Sequence, residues 1–292
     1  MRGLARLRHS RAGDVRATLP RRGNGARCIV VAALSLSVTP DFESIAVGDV
    51  RRLVLSRTNR RNALGSATVA GLIDELGVLD DDPTVGAIIL EGSPPGFCAG
   101  SDLKEIAAMD LAAMCRHEAE SATLTRRIVQ IAKPVVAAVE GFAMGGGFML
   151  AIACDIVVSA TDARWALPEV SLGWVPPWGL ELLAARVGVA RARRFAYGFE
   201  SFDGQEAYRL GIADYTARSG EAGAVALVIA QKLAALPRVA VASTKRFYAR
   251  LVANSAEAAD VEANRLFAED CRHEKAAATL ERIRRTQREK NQ

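Results

Sequence analysis

The chain has 292 residues and half of them are apolar, enough for a sizeable core without cross-links. Its five cysteines (Cys28, Cys98, Cys115, Cys154, Cys271) are scattered without C-x-x-C spacing, and none of its three histidines is spaced with another ligand type, so neither a disulfide framework nor a metal centre is expected. The net charge of +5 is concentrated at the start, where residues 1–27 hold eight arginines against one aspartate, so the remainder is slightly acidic and nucleic-acid binding is excluded as the main function.

Residues 1–40 combine this basic stretch with a short apolar run at 28–38. They loosely resemble a secretory signal or a transit peptide, but read better as a disordered extension or a start codon assigned too far upstream. No apolar run approaches the length of a membrane span, and no membrane partner is expected. Short strands follow at 44–47 and 51–56, then a helix at 66–80. A strand at 85–90 leads to helices that end at 132, the last of them starting at 111. A strand at 135–139, a helix from 146 and strands at 156–159 and 164–167 complete this half. Strands 85–90 and 135–139 are near-continuous apolar runs, the pattern of strands buried on both faces. Strands alternating with helices at this spacing predict an α/β core. From residue 188 onward the pattern is helical, over 190–197, 203–210, 221–236, 239–252, 256–271 and 274–287, with Gly198 and Gly211 as stops. The division is therefore a basic extension at 1–40, an α/β core at 41–195 and a helical region at 196–292.

Two segments carry the chemistry: Cys98-Ala-Gly-Ser-Asp-Leu-Lys-Glu105 and Glu140-Gly-Phe-Ala-Met-Gly-Gly-Gly147. Each runs from an apolar strand through a small-residue turn into a helix, expected to begin near Asp102 and Gly146. The first N–H groups of a helix are free and carry partial positive charge. Two such turns facing each other place two backbone donors at one point, which is an oxyanion hole. Glycine at 145, 146 and 147 allows a ligand to approach the backbone closely. A single glycine cluster more often serves plain helix–strand packing; the two together are more selective.

With Asn59-Arg-Arg-Asn-Ala-Leu64, Lys133-Pro-Val-Val-Ala-Ala-Val-Glu-Gly141, Cys154-Asp-Ile156, Pro168-Glu169 and Gly211-Ile-Ala-Asp214, these segments resemble the crotonase superfamily, the enoyl-CoA hydratases and isomerases. The resemblance covers most of the chain beyond residue 42. It implies a spiral of ββα turns with a C-terminal helical region, a trimer or dimer of trimers, and a cytoplasmic enzyme acting on acyl-CoA thioesters. It implies no cofactor, because coenzyme A enters as part of the substrate. It places the oxyanion donors at the N–H groups of Ser101 and Gly146 and the general acid/base at Glu169. It also implies substrate contacts from Ala99, Gly100, Asp102, Leu103, Lys104, Gly145, Met149, Trp174 and Trp178, with Lys104 near the CoA phosphates.

The chain departs from the family's hydratases at one position. Their first catalytic glutamate would fall at Met149, which cannot move a proton. A lone Glu169 can still take a proton from C2 and return it at C4, so double-bond isomerisation is the first expectation. The proline-rich aromatic segment Val175-Pro-Pro-Trp-Gly-Leu180 is similar to one in some family isomerases. Hydration with a substitute second acid comes next, and hydroxycinnamoyl-CoA hydration with cleavage third. For that last reaction Trp165, Trp174 and Trp178 would line an aromatic pocket, although each tryptophan is more often ordinary packing. A non-enzymatic binding scaffold is the alternative from another class.

Glu118 and Glu120, on the helix from 111, are candidates for the missing acid, but solvated surface is the commoner fate of such residues, and of His117. Asp155 reads as a structural carboxylate bonded to backbone, and Asp102 as a residue that suits a helix N-terminus.

Overall fold

The computed structural model describes residues 41–290, apart from the side chains of residues 253 and 254. The expected extension at 1–40 lies outside the described residues.

The first hairpin pairs β1 (Phe42–Val47) with β2 (Val50–Leu55), and Gly48 at φ 59° supplies the positive φ of its two-residue turn. A short 3-10 turn (Thr58–Arg60) leads to α1 (Ser66–Asp81) and then β3 (Ala87–Gly92). Next come α2 (Leu103–Ala108), α3 (Leu111–Gln130) and β4 (Val135–Val139). A second, smaller turn of the spiral contains β5 (Phe142–Met144), α4 (Gly146–Ile152), β6 (Ile156–Ala160), β7 (Arg164–Ala166) and α5 (Glu169–Leu172). The remainder is α6 (Leu180–Val187), α7 (Val189–Ala196), β8 (Ser201–Phe202), α8 (Gly204–Arg209), β9 (Tyr215–Ala217), α9 (Ala222–Ala234), α10 (Arg238–Asp270) and α11 (Glu274–Lys290).

The main sheet has the order β1-β2-β3-β4-β6-β9 and is parallel except for the first pair; β5, β7 and β8 form a separate three-stranded sheet. The register aligns Leu53, Leu90, Ala137 and Val157 across four strands, all facing the larger core. The opposite face presents Ile89, Val136, Ala138 and Val158 to Ala222, Ala226, Ala230 and Ala234, one stripe of α9 at four-residue spacing. Burial on both sides explains the unbroken apolar runs of β3 and β4, since each buried Val or Leu side chain contributes about 1.5–3 kcal/mol.

The expected helical end needs two corrections, and the core one. Residues 215–217 form β9, the sixth strand of the main sheet, and 201–202 form β8; both are too short to show alternation in sequence. The helices expected at 239–252 and 256–271 are one helix, α10, which packs along α3 and α6. Strands 156–160 and 164–166, although consecutive, lie in different sheets. Among the described residues no single helix is long and apolar enough to cross a membrane.

Candidate active site

The segment 97–102 is held between two others by backbone hydrogen bonds. On one side Cys98 N donates to Phe142 O and Met144 N to Cys98 O; on the other Leu64 N donates to Gly100 O and Asp102 N to Leu64 O. In this parallel bridge Ser101 contributes neither bond, so its N–H faces away from Leu64. The donor thus comes from extended chain ahead of α2, not from a helix terminus as expected. Asp102 is the N-cap: its carboxylate accepts from Lys104 N at 3.1 Å and pairs with Arg57 at 3.1 Å.

Gly146 is the first residue of α4, where an N–H has no intrahelical acceptor. Gly145 caps the helix at φ 53° and spends its own N–H on Ala166 O at 2.9 Å. The two free donors converge: a Cβ built on Gly146 would lie 3.3 Å from Ser101 N, and one on Gly100 would lie 3.0 Å from Gly146 N. No bond from either N–H to a protein acceptor occurs among the described residues. Glycine at 145 is also required by Glu169, whose Oε1 would be 2.7 Å from a Cβ there.

Glu169 opens α5 and is only 8 % exposed, and its Oε2 is buried without a hydrogen-bond partner. Burial, reinforced by the negative charge of Glu118, pushes its pKa up from 4.5 to about 8, against a smaller opposing effect of its own backbone N–H. An acid of this kind stays protonated at neutral pH until a reaction needs the proton.

Glu118 and His117 overturn the expectation of solvent exposure: they are 3 % and 2 % exposed, whereas Glu120 is on the surface. Glu118 Oε2 accepts from Trp178 Nε1 at 2.7 Å and from Ser101 Oγ at 3.2 Å. Burial raises its pKa, while His117 and these two donors work in the opposite direction. His117 Nδ1 is 3.2 Å from Ser66 Oγ, which in turn donates to Glu105 at 2.6 Å. The helix α3 offered a faint sequence signal: Glu118, Ser121 and Thr125 lie on its buried face, at helical spacing.

One cavity, of about 540 Å³ including its mouth, gathers most of the candidates. Ala99, Gly100, Ser101 and Leu103 border it from one side, and Gly145, Gly146, Met149 and Glu169 from the other. Trp174 and Trp178 form a wall, and Glu118 reaches in from α3. Asp102 and Lys104 are not part of the lining: Asp102 is occupied in capping and ion pairing, and Lys104 is exposed on α2. Trp165 belongs to the core, edge-on to Phe148 at 5.1 Å, with its N–H on Ser159. Sequence reasoning missed Phe267, which reaches the cavity from α10 and stacks edge-on to Trp174 at 6.0 Å. Asp155 is the expected structural carboxylate, accepting from Val135 N at 2.7 Å and pairing with Lys245 at 2.6 Å.

A spiral α/β scaffold with two converging backbone donors beside a buried carboxyl defines an enzyme of the crotonase type. The chain belongs to the enoyl-CoA hydratase/isomerase family, whose sequence model matches residues 47–286. It is 32% identical over 235 residues to a 2,3-dehydroadipyl-CoA hydratase of Escherichia coli K12, covering 79% of this chain and 91% of that protein. A probable enoyl-CoA hydratase of Mycobacterium bovis is 33% identical over 215 residues, 71% of this chain and 83% of the relative. The crystal structure of an enoyl-CoA hydratase/isomerase from Mycobacterium paratuberculosis superposes with a TM-score of 0.76 at 28% identity, covering 83% of this chain and 98% of that one.

Proposed function

We propose that this enzyme hydrates a trans-2-enoyl-CoA to the 3-hydroxyacyl-CoA, using Glu118 and Glu169 as a pair. The observation that carries this reading is the buried Glu118 carboxylate in the same cavity as Glu169, on a chain with Met149 where the family's hydratases have their first glutamate. In this scheme the thioester oxygen sits against the N–H groups of Ser101 and Gly146. Glu118 takes a proton from water, the resulting hydroxyl adds to C3, and negative charge spreads onto the thioester oxygen. Glu169 delivers its proton to C2, which collapses the enolate, and exchange with solvent after product release takes the proton from Glu118 and restores the one on Glu169. A raised pKa suits Glu169 for delivery, since at neutral pH it already holds the proton.

Met149 itself favours a second reading, double-bond isomerisation, in which Glu169 alone carries a proton between C2 and C4. The same proposal includes assembly as a trimer or dimer of trimers, supported by the exposed apolar side chains of Phe247, Tyr248 and Leu251 on α10; sedimentation velocity tests it.

The decisive assay incubates the purified protein separately with a trans-2-enoyl-CoA and a 3-enoyl-CoA and follows product mass and double-bond position. Gain of one water from the 2-enoyl substrate, lost in both Glu118→Gln and Glu169→Gln, supports hydration by the pair. A 2-enoyl product of unchanged mass from the 3-enoyl substrate, insensitive to Glu118→Gln, replaces it with one-base isomerisation.

A further inference from the structure

A buried indole N–H must find an acceptor, and in cores that acceptor is ordinarily a neutral group, as Trp165 shows with Ser159. Trp178 differs. Its N–H is given to a carboxylate that is itself buried, at 2.7 Å, and both residues line the cavity. Trp178 is 2 % exposed, and its Cζ2 would be 2.9 Å from a Cβ on Gly146, so the ring is seated directly beside one oxyanion donor. Gly179, the next residue, approaches Met149 so closely that a Cβ there would be 3.0 Å from the Met149 side chain. The loop bearing Trp178 therefore fits around the very position where the family's first glutamate is missing. Two carboxylates of α10 hold that loop: Asp270 accepts from Val175 N at 2.9 Å and Asp260 from Gly179 N at 2.9 Å.

We propose that Trp178 is a positioning residue for Glu118, fixing its carboxylate toward the cavity so that it can act in place of the glutamate absent at 149. This inference rests on the hydration reading above. The two donors, Trp178 and Ser101, converge on Oε2, and no protein donor to Oε1 occurs among the described residues. Oε2 is thereby anchored and Oε1 keeps its lone pairs for a water. Hydrogen bonds to the ionised form favour it, opposing the burial that raises its pKa. The other titratable groups around Glu118 are His117 and Cys115 on α3, Glu169 on α5 and Cys271 at the end of α10.

The test compares wild type, Trp178→Phe, Glu118→Gln and the double variant in the full chain, with a four-carbon trans-2-enoyl-CoA as substrate. Trp178→Phe keeps an aromatic side chain, though a smaller one, and removes the donor. It should lower kcat about tenfold or more, the usual worth of a hydrogen bond to a charged group, with KM within about twofold. The ascending limb of its kcat–pH profile should move to higher pH, because the ionised carboxylate has lost a donor. In the Glu118→Gln background the same change should cost less than about twofold. Trp178→His, which retains a ring N–H, should recover part of the loss and keeps the inference testable if the Phe variant folds poorly. An unmoved pH limb, or equal losses in both backgrounds, would overturn the positioning role while leaving hydration intact. Full hydration by Glu118→Gln would instead overturn the two-carboxylate reading, and the role of Trp178 with it.

Discussion

The carboxylate of Asp260, in the C-terminal half of α10, accepts the backbone N–H of Gly179 at 2.9 Å and pairs at its other oxygen with Arg126 at 2.6 Å. One side chain thus fastens a remote helix both to α3, which bears Glu118, and to the loop that bears Trp178. Asp260→Ala leaves a buried N–H without an acceptor and Arg126 without its carboxylate, with only Thr123 Oγ1 still accepting from it at 3.0 Å. Removing one partner of a buried pair costs about 3–5 kcal/mol, and urea unfolding should show a loss of that order. Turnover measured well below the new melting temperature should fall as well, since both elements held by Asp260 border the cavity.

Gly146→Ala is predicted to act on turnover more than on stability. Alanine suits the first turn of α4, but its Cβ would lie 2.9 Å from Trp178 and 3.3 Å from Ser101 N, where the substrate oxygen is proposed to bind. The N–H remains, but a methyl that keeps the oxygen from it forfeits what one oxyanion donor supplies, about 10²–10³ in kcat, and steady-state kinetics should show a fall in that range. A variant with wild-type kcat would remove Gly146 from the proposed site.

The raised pKa of Glu169 has a sign that can be followed in stability. The group titrates at about 8 in the folded chain and at 4.5 when unperturbed. Between those values the unfolded state has released a proton that the folded state retains, so this contribution is complete below about pH 4.5 and is lost as pH rises through 8. Glu169→Gln removes that dependence. The variant should gain stability relative to wild type between pH 5 and 8, by an amount on the order of a few kcal/mol at the upper end, and the two melting curves should converge toward pH 4.5. In kinetics, kcat/KM for hydration should decline above about pH 8, where the free enzyme loses the acid.

Asn62 holds the other side of the oxyanion segment. It adopts φ 55°, a left-handed conformation that asparagine tolerates better than most, and its amide donates to Ser93 O and Gly96 O at 2.7 Å each. Asn62→Ala forfeits both bonds and the backbone preference. Thermal unfolding should reveal a loss of about 2–4 kcal/mol, with kcat reduced because Leu64 braces Gly100 and Asp102.

What the sequence revealed depended on where each signal resided. The glycine triplet and the Cys98–Ser101 turn are local features whose backbone demands are visible in residue type, so two facing backbone donors could be expected before any coordinates, whereas Ser101, Gly146 and Glu169 were placed individually by the family resemblance. Glu118 was a candidate beside Glu120 but could not be singled out, because burial of a carboxylate depends on what covers it. Only the folded chain brings the Trp178 loop over that face of α3. Strand β9 was missed because three residues carry no periodicity and gain their structure from pairing with β6. The continuity of α10 was also set by neighbours: residues 253–255, Ala-Asn-Ser, are weak helix formers in part, and contacts with α3 and α6 override them.

Gly173, at φ 112°, ends the short helix that Glu169 begins, and a Cβ there would meet the backbone N of Ala276 at 2.8 Å. Thr279 Oγ1 also donates to Leu172 O at 2.8 Å. The final helix is thus seated on the back of the segment that carries the acid. A single protease cut at the turn at 271–273 would release that helix while leaving the sheet and its hydrogen-bond ladder whole. Such nicked protein should keep most of its circular dichroism and lose its turnover, so spectroscopic integrity is no guide to the competence of this enzyme.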